Sequence, residues 1–319
     1  LLNYYPAIAE AYYSEIPLVV ISADRPNYKI DIGDGQTIQQ NNVFGDHVIG
    51  FENLFQDVNH STNSILESNL QRIIPDSFKT TELLDLQRKT QRDNERILLD
   101  LFIKTLHNSK PVHLNVPLEE PLSEFSDQPT ITISNETKYS IKKDDLTVFN
   151  SPLIKDYKKI MILFGCANKG ILSESTIDKL SSCDNIVVLK ETTSNLNNTS
   201  FFGKIDQLIA PAELNENSSE LFNKLKPELL ITVGGMIISK KIKSMLRTYE
   251  PTAHIHLGHN DAKDTFYKGV EHFKIDPNLF FKKSLEKLVS NYNYKKPWID
   301  ISKKRALAHK KYLNKLPFS

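Results

Sequence analysis

Pro17-Leu-Val-Val-Ile-Ser-Ala-Asp-Arg-Pro26 is an apolar run bounded by Pro17 and Asp24, with an arginine directly after it. A short apolar run between turn signals suits a fully buried strand of a parallel sheet. Open α/β sheets bind ligands in the crevice outside the carboxyl ends of their strands. Arg25 stands where such a loop begins. Its guanidinium offers two parallel donors, which suits a carboxylate or a phosphate. An Asp24–Arg25 pair closing a turn before Pro26 is the structural alternative. Next comes Ile32-Gly-Asp-Gly-Gln-Thr-Ile-Gln-Gln40, a loop punctuated by Gly33 and Gly35.

Outward from this stretch, strands and helices alternate. Residues 94–107 predict a helix with Leu98, Leu101, Phe102 and Leu106 on one stripe. Residues 112–116 predict a strand with Val112, Leu114 and Val116 on one face. The segment 123–150 is rich in Ser, Thr, Asp and Lys and reads as a domain boundary. Beyond it, strands are expected at 160–164, 186–189, 229–233 and 253–257. Helices are expected at 173–180, 218–225 and 240–249. This alternation implies an α/β protein with two parallel-sheet, three-layer domains.

At 319 residues, two domains are the natural division. With 39% apolar and 25% charged residues, the composition is that of a soluble globular protein. The 40 basic and 39 acidic residues nearly cancel, giving no reason to expect nucleic acid or an anionic membrane as partner. Two cysteines, Cys166 and Cys183, make no disulfide or metal framework. A reducing, cytoplasmic compartment follows as the expectation. No apolar run approaches the roughly 20 residues needed to span a bilayer. The chain opens at Leu1 within a run of helix formers, which suggests a piece of a longer protein.

Several motifs invite chemistry. Gly33-Asp34-Gly35 resembles a metal-binding Gly-Asp-Gly, but Asn41-Asn42 follows too soon and no apolar strand immediately precedes it, so a turn is expected. Gly165-Cys-Ala-Asn-Lys-Gly170 follows a strand and could expose N–H groups to a phosphate, with Glu191 near the ribose position. Its spacing fits neither nucleotide fingerprint. Val233-Gly-Gly-Met-Ile-Ile-Ser-Lys-Lys241 ends a strand in two glycines and brings two lysines to the next helix. His254, His256 and His259 suggest a metal cluster, but no suitably spaced Cys or carboxylate completes it. A hydrogen-bonded strand edge is the expectation there. Glu119-Glu120 reads as a solvated turn, His113 as structural, and Cys166 has no nearby His to make it a nucleophile.

Asn3-Tyr-Tyr-Pro-Ala-Ile-Ala-Glu-Ala-Tyr-Tyr13, the run 17–26, and Gly33-x-x-Gln-x-Ile-x-Gln40 together resemble the MenD family. These are the thiamine-diphosphate-dependent synthases of 2-succinyl-5-enolpyruvyl-6-hydroxy-3-cyclohexene-1-carboxylate in menaquinone biosynthesis. Their pattern is an N-x-Y-P-A helix, a strand ending in A-D-R-P, and a G-x-x-Q-x-I-x-Q loop. The resemblance implies 2-oxoglutarate decarboxylation and addition of the succinyl carbanion equivalent to isochorismate. It implies thiamine diphosphate and Mg²⁺ as cofactors, with their ligands mostly outside this chain and no catalytic residue within it. Residues 1–125 would be the later part of a pyrimidine-binding domain, the first domain thus incomplete. Residues 126–150 would be a linker, 151–295 a Rossmann-like middle domain, and 296–319 a helix or linker toward a diphosphate-binding domain.

Arg25, Gln36, Lys240 and Lys241 match substrate-binding positions of that pattern. At Lys241 the family commonly has arginine, so the bidentate fork is lost. The resemblance further implies a homo-oligomer, dimer or tetramer, with an exposed apolar face around 4–13, and an isolated piece without activity. Two other readings stand beside it. One is a non-catalytic regulatory α/β module that binds a nucleotide or small acid through the 165–170 turn. The other is an acetolactate-type synthase.

Overall fold

The computed structural model describes residues 1–56, 80–118, 144, 154–285 and 292–317. They fall into two compact units, Leu1–Ile141 and Lys142–Ser319.

The first unit contains α1 (Tyr5–Tyr13), β1 (Val19–Asp24), β2 (Phe51–Asn53), α2 (Thr80–Asn108) and β3 (Val112–Pro117). All three strands are parallel, in the order β1-β3-β2. Val19 pairs with Val112, Asp24 with Pro117, and Phe51 with His113. Ile8, Val20 and Phe44 form one small core, and Leu101, Val112 and Leu114 another.

Two expectations are corrected here. β1 is not buried throughout: its exposure alternates, and Ile21 is 59% exposed. Among the described residues the strand has a sheet neighbour on one side only, β3, and its two faces differ. The helix 94–107 proves to be the second half of α2. Its inward stripe is Ile97, Leu98, Leu101 and Thr105, whereas Phe102 and Leu106 are exposed. β3 is the central strand, so His113 and Asn115, opposite the expected apolar face, are buried as well.

The second unit begins with β4 (Ile160–Phe164), α3 (Glu174–Ser182), β5 (Ile186–Lys190), α4 (Ile205–Glu213), α5 (Ser218–Leu225) and β6 (Leu229–Val233). It continues with α6 (Lys240–Thr248), β7 (Ala253–Leu257), β8 (Glu271–Phe273), α7 (Pro277–Leu285) and α8 (Lys295–Leu313). The five strands are parallel in the order β5-β4-β6-β7-β8, the flavodoxin-like doubly wound order. Strand alternation splits the core into two layers. Ile160, Ile162 and Phe164 face Ile177, Leu180, Phe280 and Phe281, while Met161 and Leu163 face Leu208, Ile209, Leu246 and Trp298. The result is three layers.

Serine caps set the helix starts: Ser173 accepts from Thr176 N in α3, and Ser239 accepts from Ile242 N in α6. At the start of α8, Tyr294 donates to the Leu225 carbonyl and the Lys295 ammonium donates to the Ser181 carbonyl at 2.6 Å. The start of the helix is thereby tied to the second unit.

Candidate functional site

The carboxyl ends of β1, β2 and β3 carry a connected polar network. Ser22 Oγ lies 2.7 Å from His113 Nε2 and donates to Asn115 Oδ1 at 3.1 Å. Asn115 Nδ2 donates to Asp24 Oδ2 at 2.8 Å and to Asn53 Oδ1 at 2.9 Å. Asn53 Nδ2 in turn donates to Asn41 Oδ1 at 3.1 Å. Polar groups this far inside a sheet are stable only when partnered. The His113 ring packs edge-on to Phe44 and is tilted against Phe51. Burial pushes its pKa down to about 4, partly opposed by the Asp24 carboxylate. His113 is therefore structural, as its sequence position suggests.

Arg25 leaves β1 half-buried, and its backbone N–H donates to Asp24 Oδ1 at 2.8 Å. The loop that follows is clamped back on the strand: buried Gln40 donates from Nε2 to the Ala23 carbonyl at 3.0 Å. Its Oε1 is buried without a hydrogen-bond partner among the described residues. Between these clamps the loop takes left-handed turns at Asp31, Gly33 and Gln36. Gln36, with φ 62°, is exposed. A non-glycine residue held in that region costs about 1 kcal/mol. Asp34 Oδ1 accepts the Gly35 N–H at 2.9 Å, so its carboxylate serves its own turn.

In the second unit the crevice where strand order reverses is shut. A Cβ on Gly165 would lie 2.2 Å from the Gly235 carbonyl oxygen. Gly234, at φ +83°, has no room either, with 2.6 Å to the Cys166 carbonyl oxygen. Gly235 N donates to Cys166 O at 2.7 Å, and Cys166 N to Met236 O at 3.0 Å. Glu191 is not at a ribose site. Its carboxylate accepts from Ile238 N at 2.8 Å and from Ser239 N at 2.6 Å, occupying the start of α6. The amides that would draw a phosphate are already bound to an internal anion. Within the 165–170 turn, Cys166 N and Ala167 N are also taken, by the Met236 and Thr193 carbonyls, which disfavours the regulatory nucleotide module.

Lys240 and Lys241 open α6 and differ in company. Lys241 pairs with Glu213. Lys240 is exposed and lines a shallow cleft with Lys243, Ser244, Arg247 and Thr248. Arg247 donates twice to the Thr265 carbonyl and lies 4.5 Å from the Tyr267 ring centre. Lys243 donates to the Ile237 carbonyl at 3.1 Å.

The histidines of β7 are no metal centre. His254 Nε2 and His256 Nδ1 each lie 3.0 Å from Thr232 Oγ1. β7 is an inner strand, so the expected strand edge is corrected to a buried cluster. His259 sits apart, 3.2 Å from Asp144. Among the described residues no three His, Cys, Asp or Glu side chains are grouped to hold a metal ion. Glu119-Glu120 lies outside the described residues.

Arg25 directly follows β1 and Gln36 lies exposed in the loop after it, while Lys240 and Lys241 share one helix start. Asn53 and Asn115 are the members of this network that motif reading missed, whereas Asp24 was read as closing a turn beside Arg25 and Gln40 as part of the loop motif. The available signal was an amide inside the apolar run Val112-His-Leu-Asn-Val116.

No protein-family model matches the chain. Curated relatives do. The chain is 40% identical over its full length to a 2-succinyl-5-enolpyruvyl-6-hydroxy-3-cyclohexene-1-carboxylate synthase of Flavobacterium johnsoniae, covering 52% of that protein. It is 42% identical over 84% of its length to the synthase of Christiangramia forsetii, covering 44% of it. The chain thus spans about half the length of the curated relatives it matches. Among solved structures it resembles a thiamin diphosphate-dependent enzyme from Mycobacterium smegmatis (TM-score 0.55, 10% identity, 90% of this chain and 48% of that one). It also resembles a benzoylformate decarboxylase from Polynucleobacter necessarius (TM-score 0.51, 12% identity, 92% and 48%). By sequence, and with the fold of thiamine-diphosphate enzymes, the chain belongs to the 2-succinyl-5-enolpyruvyl-6-hydroxy-3-cyclohexene-1-carboxylate synthase (MenD) family.

Proposed function

We propose that this protein acts in 2-succinyl-5-enolpyruvyl-6-hydroxy-3-cyclohexene-1-carboxylate synthesis, and that this stretch binds the acidic substrates. The reaction joins 2-oxoglutarate, after loss of its carboxyl as CO₂, to isochorismate. The observation that carries the reading is the 40% identity along the whole chain to a curated synthase. The polar strand ends support it, because Arg25 leaves the end of β1 half-buried beside a satisfied side-chain network.

Arg25 is assigned to a substrate carboxylate, which its fork can hold by two charge-assisted bonds. Gln36 donates or accepts at the same substrate from a loop fixed at both ends. Within the second unit, Lys240 is assigned as a separate point-charge contact for an acid, and Lys241 is secondary because Glu213 already holds it. A charge-assisted contact of this kind contributes roughly 1.5–3 kcal/mol, or about tenfold to a hundredfold in affinity.

Thiamine diphosphate, when bound, supplies the decarboxylation and the carbanion equivalent. The described residues do not fit Mg²⁺: Asp34 is committed to its turn, and no other cluster stands ready. The closed β4–β6 crevice gives no seat for a diphosphate. What these residues do is bind and orient acids. A homo-oligomer is part of the proposal, supported by exposed Tyr4, Tyr13 and Ile16 on and beside α1. Among the described residues no helix is long and apolar enough to cross a membrane.

The test is turnover of 2-oxoglutarate with isochorismate by the purified protein, with Arg25→Ala and Gln36→Ala beside the parent. Loss of activity or a raised KM for either acid supports the reading. Turnover by the whole protein that is indifferent to both substitutions contradicts it.

A further inference from the structure

The buried amide of Asn115 sits at the junction from which Arg25 departs. It lies on the central strand, nearly inaccessible, and each of its polar atoms is used. Oδ1 accepts from Ser22 at 3.1 Å, while Nδ2 donates to Asp24 at 2.8 Å and to Asn53 at 2.9 Å. A carboxylate only accepts, so the end of the amide that meets Asp24 has to be the NH₂. The Asp24 carboxylate is thereby divided. One oxygen is held by Asn115, and the other takes the Arg25 backbone N–H at 2.8 Å. β1 and β3 are registered here, with Ser22 opposite Asn115 and Asp24 opposite Pro117. Leu118 N closes the junction on Asp24 O at 2.9 Å.

We propose that Asn115 is a positioning residue for Arg25. Acting through Asp24, it fixes the backbone direction in which Arg25 leaves the strand, and so the angle at which the guanidinium meets a substrate carboxylate. This rests on the proposed assignment of Arg25 to an acidic substrate. The physical reason is geometric. A bidentate guanidinium–carboxylate contact needs both planes aligned, and a small rotation at the base of a long side chain moves the fork by an ångström or more. A network of satisfied side chains on three strands resists that rotation better than a loop does.

The chemistry provides a swap. Asn115→Asp sets a carboxylate against the Asp24 carboxylate and removes the donor. Combining it with Asp24→Asn restores one amide and one acid with their roles exchanged, at unchanged net charge. Asn53 and Asn41 can follow by turning their amides.

The experiment measures two quantities in the whole protein. One is the KM for 2-oxoglutarate against kcat; the other is the Arg25 Nε–H resonance by NMR. For Asn115→Asp the expected result is a KM raised about tenfold or more with kcat within about threefold, and a displaced Arg25 resonance. Asn115→Ser, neutral and small, should move both in the same direction by less, and covers the case in which the acid variant does not fold. The Asp24→Asn, Asn115→Asp pair should bring KM within about threefold of the parent and return the resonance. A lowered denaturation midpoint with KM and the Arg25 resonance unmoved would overturn the inference, leaving Asn115 a stabiliser only. So would a double variant that regains stability without regaining KM or the resonance. If the parent protein does not consume 2-oxoglutarate, the proposed function falls, and the Arg25 resonance alone then decides the positioning role.

Discussion

Gly165 lies so close to Gly235 that a Cβ at position 165 would stand 2.2 Å from the Gly235 carbonyl oxygen. Two strand-end turns are interlocked there, backbone against backbone, at the place where a doubly wound sheet ordinarily opens to a ligand. The second unit resembles nucleotide-binding sheets in its topology and differs from them at this crevice.

Gly165→Ala should therefore destabilise the protein by at least about 2 kcal/mol, because the obstructing atom is main chain and cannot rotate away. Gly234→Ala should cost a similar amount, adding a left-handed φ to a 2.6 Å approach. By contrast, Gly170→Ala meets no neighbouring atom within 4 Å, and only its φ of +81° opposes it, so its cost should be about 1 kcal/mol. Urea unfolding midpoints of the three variants check the ranking.

Acid should unfold this protein through its buried histidines. Burial holds His113, His254 and His256 neutral down to about pH 4, against an ordinary value of 6.5. The Asp264 carboxylate opposes the shift at His254, whereas His272, His254 and Lys263 add to it at His256. The unfolded chain binds these protons first, so stability is full above pH 6.5 and declines as pH falls toward 4. Each ring contributes of order 3 kcal/mol at most across that window. Unfolding midpoints between pH 7.5 and 4.5 should fall steeply, and less so in His256→Gln. A flat profile would contradict the burial argument.

Lys240 and Lys241 should separate in their effects. Lys241→Ala removes a partly exposed pair with Glu213 and should change stability by about 1 kcal/mol or less. Lys240→Ala should leave the fold untouched and weaken acid binding severalfold, because among the described residues no carboxylate pairs with its exposed ammonium. Substrate KM values and melting temperatures of the two variants provide the check. Equal KM values would remove Lys240 from the site.

Much of the second unit was legible because its strands are continuous apolar runs: residues 160–164, 229–233 and 253–257 fold as β4, β6 and β7 without adjustment. α4 escaped notice because Pro211 interrupts it and Lys204 enters it with a left-handed backbone. β8, three residues long, has too little pattern to see. In the first unit the apolar stripe of α2 was misplaced by one helical step, since Phe102 and Leu106 are as apolar as the residues that face inward. Arg25 and Gln36 were legible as motif positions. Asn115 was not, because what distinguishes it is burial among partners from other strands, which residue type does not encode.

The most direct measurement is the affinity of the purified protein for 2-oxoglutarate, by calorimetry, with Arg25 intact and replaced by Lys or Ala. The account predicts a loss of about tenfold or more for Arg25→Ala and an intermediate loss for Arg25→Lys, which keeps the charge without the fork. An affinity unchanged in both variants, with the fold preserved, would contradict it.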